Sequence, residues 1–369
     1  MIPASSYQYV YVLFILLLTS LVGARYSLYG NDRILRDRKQ KVGPALLLTF
    51  IMWLFIGFRP ISIYFTDMVG YAEAMTLHTY EGIPVNISSN YLFTPLMAFL
   101  SSHNASPQTP IVILAAINLI GTFIAVRKLF PNDTLIMLLV VWGSFVSFAT
   151  MTNGIKAGCA MSLLLCAIAY REKLFVGFFF LFLSMGFHHS MIMPIVAFIA
   201  CLICRNCKIY FAIWIICLLC AILHVTFFQF LFGSMADESA SSYLLSTLED
   251  SNFGGRTGFR IDFVAYSSVP VLVGYYAIYK KRIESISYSF ILNMYLLTNS
   301  VWMLCMYAPY TNRIAEIPWG ILPFAMSYPF LKENWGGRQY RTFKRLAYGN
   351  VAFTFFMTFV YYMFIYLDR

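Results

Sequence analysis

The sequence predicts an all-α polytopic integral membrane protein, and three observations carry that prediction. Of the 369 residues, 60% are hydrophobic and 11% charged, with a mean hydropathy of +0.71, which leaves too few polar groups to cover a soluble surface. Apolar runs of roughly the length of a bilayer crossing recur along the chain between short polar loops. All the lysines and arginines except Arg59, Lys156, Arg256, Arg260, Arg313 and Arg369 fall in loops that alternate between those runs. Lipid offers the backbone no hydrogen-bond partner, so the runs are read as helices.

In chain order, residues 7–23 form the first helix. They lack a short apolar core followed by a small-residue cleavage site, so they read as a retained segment and not a removed signal peptide. Residues 44–58 form the second. In the polar stretch 59–109, Thr66 can cap a short helix whose first turn holds Asp67, and Asp67 shares a face with Tyr71 four residues on. Residues 91–102 form a second short helix, edged by serines and laid in the interface or dipping into it. Runs 110–126, 135–149 and 155–170 each read as one crossing.

Run 174–204 is too long for one upright helix, and Gly186, His188, His189 and Ser190 interrupt it. Two short helices meeting at a polar tip fit better. Run 209–232 precedes a second polar loop, 233–261, followed by 263–279, 287–307, a short turn at 308–312, 314–331 and 346–367. The total is about 12 helical segments, including the broken pair near His188, in a single transmembrane domain 1–369 with loops at 59–109 and 233–261.

With that count the basic loops 25–41, 127–128, 171–173, 205–208, 280–282 and 332–345 share one side, which the positive-inside rule makes cytoplasmic. Both termini and the two long polar loops then lie outside. The net charge of +10 is topogenic; without a basic patch on a soluble face, nucleic acid is not an expected partner. The eight cysteines lie in predicted helices or at cytoplasmic edges, so no disulfide framework is expected. Cys201, Cys204 and Cys207 lack a fourth ligand nearby, and no metal site is expected. The chain has no Gly-rich phosphate loop ending in Lys-Ser or Lys-Thr, no dinucleotide fingerprint and no His-Glu-x-x-His helix, and no cofactor is expected.

The six remaining cations, all outside, supply the functional signal. Gathering several of them costs repulsion and desolvation unless an anion or carboxylates neutralise them, which points to a polyanionic ligand. Each has a plainer alternative. Arg59 can snorkel from a helix end, Arg260 can pair with Asp262 although residues two apart on a helix do not face each other, and Arg313 can pair with Glu316. Lys156 opens a helix with no carboxylate close by, against the macrodipole, so something must compensate it. Of the adjacent histidines, about 100° apart on a straight helix, His188 is read as facing the interior, with Ser190 as a ready partner. The outer tyrosines and phenylalanines suit sugar stacking or an interfacial belt.

Taken together, Gly57-Phe58-Arg59, Asp67 and Tyr71, Asn153-Gly154-Ile155-Lys156, Phe187-His188-His189-Ser190, Arg260-Ile261-Asp262-Phe263 and Asn312-Arg313-Ile314 resemble the EpsG-like branch of the Wzy polymerases of O-antigen and exopolysaccharide assembly. The resemblance runs from Arg59 to about residue 331 and lies in the order of short motifs. One departure stands out: Lys156-Ala157 occupies the place of an arginine-glutamine pair, keeping the charge but not the forked grip on a phosphate.

The resemblance implies a GT-C-like architecture in a bacterial inner membrane. It implies transfer of a glycan from one polyprenyl pyrophosphate to a sugar hydroxyl of another lipid-linked repeat unit, without nucleotide or metal. The implied partners are polyprenyl pyrophosphate-linked glycans, the lipid bilayer and a chain-length regulator of the Wzz type. The implied roles are Asp67 as general base with His188 second, Arg59, Lys156, Arg260 and Arg313 as the pyrophosphate clamp, and Tyr71, His189 and Asp262 as orienting groups. A lipid-linked oligosaccharide flippase and an O-antigen ligase remain alternatives. The flippase should show two matching halves, and no internal repeat is visible; the ligase differs only in its acceptor. A membrane-bound O-acetyltransferase would also hold a histidine in the membrane, but the cationic cluster does not support it.

Overall fold

The fold is given by a computed structural model that describes residues 2–28, 42–83, 90–228, 258–308, 311–333 and 339–361. Every element among them is helical. Helices Ala4–Gly23, Gln108–Leu129 and Ile261–Lys280 are long and apolar enough to cross a membrane, and several shorter helices are as apolar. Leu17, Phe50, Phe175, Phe182, Ile216 and Leu272 turn outward and are exposed. So much exposed apolar surface suits lipid and not water, and the chain is a membrane protein. It divides into two compact units, 1–191 with 330–369, and 192–329.

In the first unit, α1 (Tyr7–Leu28) leads to α2 (Gly43–Gly57), and two short helices follow, α3 (Thr66–Thr76) and α4 (Phe93–Ser102). Phe65, not Thr66, occupies the cap position of α3, so the helix starts one residue earlier than a Thr66 cap would place it. Its buried face is Phe65, Met68, Ala72 and Met75, and Asp67 and Tyr71 border that face.

Helix α5 (Gln108–Leu129) starts beside the end of α2, where Gln108 Nε2 donates to the carbonyls of Gly57 (2.6 Å) and Arg59 (3.2 Å). It runs parallel to α8 (Ile155–Tyr170). The Cys159 thiol donates to Leu114 O and the Cys166 thiol to Gly121 O, so equal steps along the two helices stay in register. Helix α9 (Leu174–Phe187) returns antiparallel to α8, with Ser184 Oγ donating to Ala160 O at 2.6 Å.

The run 135–149 is not one crossing. It folds as α6 (Thr134–Trp142) and α7 (Ser147–Thr152) around a break. At the break Val141 O accepts from Ser144 N (3.1 Å), Ser144 Oγ (2.6 Å) and Ser147 Oγ (2.5 Å), which replace the next helical bond. The neighbouring carbonyls are satisfied from elsewhere: Val140 by Asn350 Nδ2 (3.0 Å), Trp142 by Tyr11 Oη (2.5 Å) and Gly143 by Thr354 Oγ1 (2.8 Å). Asn350 and Thr354 belong to α15 (Gln339–Phe356), which lies antiparallel to α1, Tyr348 Oη meeting Ser20 O and Phe359, just beyond α15, meeting Tyr9.

The run 174–204 breaks where its polar residues predict. Helix α9 stops at Phe187, His188 is extended (φ −148°, ψ 116°), and His189–Met191 make one 3₁₀ turn before α10 (Ile192–Ile203).

The second unit contains α10, α11 (Cys207–Ile222), α12 (Ile261–Tyr275), α13 (Ile286–Leu304) and most of α14 (Thr311–Lys332). Helix α11 ends at Ile222, where a longer run to 232 is expected from sequence. It lies parallel to α13, linked by Trp214 Nε1 to Asn299 Oδ1 (2.8 Å) and Tyr307 Oη to Ala221 O (2.9 Å). Helices α12 and α14 run the other way: Tyr295 Oη donates to Ser267 O at 2.6 Å, and the Tyr288 and Tyr328 rings stack.

These directions sort the charges. In the first unit Arg127, Lys128, Arg171, Lys173, Arg341, Lys344 and Arg345 fall at one end, and Arg59, Asp67, Lys156 and His188 at the other. In the second, Arg205, Lys208 and Lys280 to Arg282 fall at the end opposite Arg260 and Arg313.

Candidate functional site

Arg59 follows the last turn of α2 and is fully buried. Its Nη1 donates to Ile56 O (2.5 Å) and its Nη2 to Thr152 O (2.7 Å), and the guanidinium lies 5.3 Å from the Phe65 ring centroid. Burial pushes the group down to about 10, so it keeps its charge at neutral pH. Arg59 thus joins three segments: the end of α2, the end of α7 just before Lys156, and the start of the helix that bears Asp67. Nε is buried without a partner among the described residues.

Lys156 is the second residue of α8, and its ammonium lies 5.4 Å from the centroid of the Phe93 ring. The Tyr71 ring lies on the same phenylalanine, centroid to centroid 5.2 Å at 60°. The turn that delivers Lys156 is tightly built, because Gly158 packs against Thr150 O so closely that a Cβ would stand 1.9 Å from it.

The histidine break is tied to the segment just before Phe93. Asn90 Oδ1 accepts from His189 N (2.9 Å), Tyr91 Oη donates to Phe182 O (2.5 Å), and Leu92 N donates to Gly186 O (2.8 Å). Gly186 permits this closeness, since a Cβ there would meet Leu92 Cγ at 2.5 Å. His188 Nδ1 receives the Ser190 N–H (3.2 Å) and lies 2.7 Å from Ser190 Oγ. A backbone N–H can only donate, so Nδ1 accepts and the neutral ring carries its proton on Nε2. His189 Nδ1 and Asn153 Oδ1 are buried polar atoms without a partner among the described residues.

The structure therefore gathers Tyr71, Lys156 and His189 around the start of α4, with Asp67 one turn before Tyr71 on α3 and His188 next to His189, while Arg59 ties the segments that carry Asp67 and Lys156. Sequence reasoning missed Phe93 and Asn90. The available signal was Asn90-Tyr91-Leu92-Phe93 leading through Thr94 to Pro95, a proline in the first turn of a helix.

The remaining candidates belong to the second unit. Arg260 lies outside α12 in an extended conformation (φ −103°, ψ 91°), so its side chain folds back onto Asp262 in the first turn; Nε meets Oδ1 at 3.0 Å and Nη2 meets Oδ2 at 2.6 Å. The two-residue spacing that forbids a pair within a helix does not apply. The guanidinium also lies over the Phe263 ring at 4.3 Å. Arg313 is exposed in the first turn of α14. Arg256, Arg369 and most of the loop 233–261 lie outside the described residues.

A family model described as the EpsG family matches residues 44–368. No curated protein matches the chain, and no solved structure does.

Proposed function

The chain belongs to the EpsG family, and on that premise we propose that it is a membrane glycosyltransferase that polymerises polyprenyl pyrophosphate-linked oligosaccharide repeat units. The observation that carries the reading is the gathering of Tyr71, Lys156 and His189 around the start of α4, with Asp67 one turn from Tyr71 and His188 adjoining His189, at the end of their unit opposite its basic loops.

In the proposed reaction an acceptor hydroxyl attacks the anomeric carbon of the donor glycan. The new C–O bond forms as the bond to polyprenyl pyrophosphate breaks, and the hydroxyl proton passes to Asp67, the general base. Lys156 offers charge to the departing pyrophosphate. His188, protonated on Nε2, serves as a hydrogen-bond donor more readily than as a second base. Tyr71 and His189 orient the acceptor sugar and the base. Arg59 acts by holding the segments that carry Asp67 and Lys156, because its terminal nitrogens already hold carbonyls. In the second unit Arg260 and Arg313 bind pyrophosphate or sugar, with Asp262 orienting Arg260. The transfer as drawn consumes no nucleotide and uses no metal.

The rest of the proposal concerns setting. The helices, about 12 segments in a GT-C-like arrangement, lie in a bacterial inner membrane with basic ends in the cytoplasm and both termini periplasmic. A Wzz-type regulator sets chain length.

The test is to incubate the purified chain in detergent with a defined polyprenyl pyrophosphate-linked repeat unit and resolve the products by size. A ladder of multiples is expected, and Asp67→Asn should leave only the single unit although the variant inserts normally. An unchanged band beside an active control polymerase would turn the reading toward ligase or flippase. A ladder from Asp67→Asn would remove Asp67 from the mechanism.

A further inference from the structure

We infer that Phe93 is a positioning residue of the reaction centre: its ring face holds the Lys156 ammonium and braces Tyr71, so that the segment latched to the histidine break also fixes where the pyrophosphate-binding cation stands. The inference rests on the reading of Lys156 as a pyrophosphate contact.

Lys156 stands in the first turn of α8, where the helix dipole disfavours a cation. Its stem is flexible, and a freely rotating ammonium is a poor partner for a pyrophosphate that must be met at one place. Phe93 answers both needs. The ring is buried, its centroid lies 5.4 Å from Nζ, and its negative face attracts a cation without accepting a proton.

The ring is itself held. Phe93 is the first residue of α4, and the three residues before it are fastened through Asn90 to His189, Tyr91 to Phe182 and Leu92 to Gly186. Tyr71, on the helix that carries Asp67, packs on the same ring at 5.2 Å. One side chain therefore relates the base-bearing helix, the histidine break and the cation. A leucine would fill much of the same space but has no quadrupole with which to hold an ammonium.

Fluorination at position 93 separates these roles, because successive fluorines drain the ring face while nearly conserving its volume. Monofluoro-, difluoro- and trifluorophenylalanine are introduced at Phe93 in the full-length chain. Two quantities are read: kcat/KM on the defined lipid-linked repeat unit, and the titration of Lys156 followed by ¹³C-methyl NMR after reductive methylation. The expected result is a stepwise fall in kcat/KM, reaching about 3–10-fold for the trifluoro ring, with the Lys156 titration moving to lower pH in the same order. Phe93→Trp should retain activity and Phe93→Leu should lose it.

Unchanged activity and unchanged titration along the fluorinated series would overturn the inference, whatever Phe93→Leu does, because the ring would then act by volume alone. A Lys156 titration that shifts along the series while even the unsubstituted chain makes no polymer would uphold the contact and sink the polymerase reading instead.

Discussion

Arg59 shows how far a residue's importance can be read without its role. The sequence marks it as a cation at a helix end, but one of its partners, the carbonyl of Thr152, lies 93 positions away, and no local pattern announces that pairing. Two buried carbonyls depend on it. Arg59→Met should cost about 2 kcal/mol or more, read as a lowered Tm in detergent, and Arg59→Lys should not restore it, because a single ammonium cannot span both carbonyls. An unchanged Tm combined with lost donor binding would make Arg59 a direct ligand. The Arg260–Asp262 pair was hidden for a different reason: the spacing argument assumes both residues are helical, and Arg260 is not. Phe93 was hidden by abundance, since one phenylalanine among 35 carries no mark in a chain this aromatic.

Among the helices, the break at His188 was legible because polar residues interrupt an apolar run, which lipid tolerates only with a reason. The break between α6 and α7 was not. Its cause is a pair of serines bonded to Val141 O, and its compensation comes from Tyr11, Asn350 and Thr354, each more than a hundred residues away along the chain. Two glycines separate fold from function at this scale. At Gly186 an added Cβ meets the side chains of Leu92 and Tyr91, which can yield. Gly186→Ala should therefore cost about 1–3 kcal/mol yet lower polymerisation by at least about tenfold as the segment bearing Phe93 shifts. At Gly158 the Cβ meets the backbone oxygen of Thr150, which cannot yield without moving α7. Gly158→Ala should lose the folded protein, as judged by size exclusion in detergent. Equal behaviour of the two variants would show that the latch at Gly186 has no special bearing on activity.

For the whole molecule, the charge pattern read from sequence reappears within each unit as two ends of opposite character, basic loops at one and the candidate residues at the other. Sidedness follows as an expected outcome: in intact cells a membrane-impermeant maleimide should label Ser102→Cys but reach Glu172→Cys only after permeabilisation, with the unsubstituted chain as control. The reverse pattern would invert the orientation. What composition could not reveal is which distant segments complete one another, and the broken α6–α7 makes that dependence temporal. A ribosome releases Val140 and Gly143 into the bilayer some two hundred residues before Asn350 and Thr354 exist to meet them. Until α15 has been made those carbonyls lack these partners in lipid. Helix α15 thus closes a break opened long before it, and a nascent chain stalled ahead of it is a natural substrate for membrane quality control.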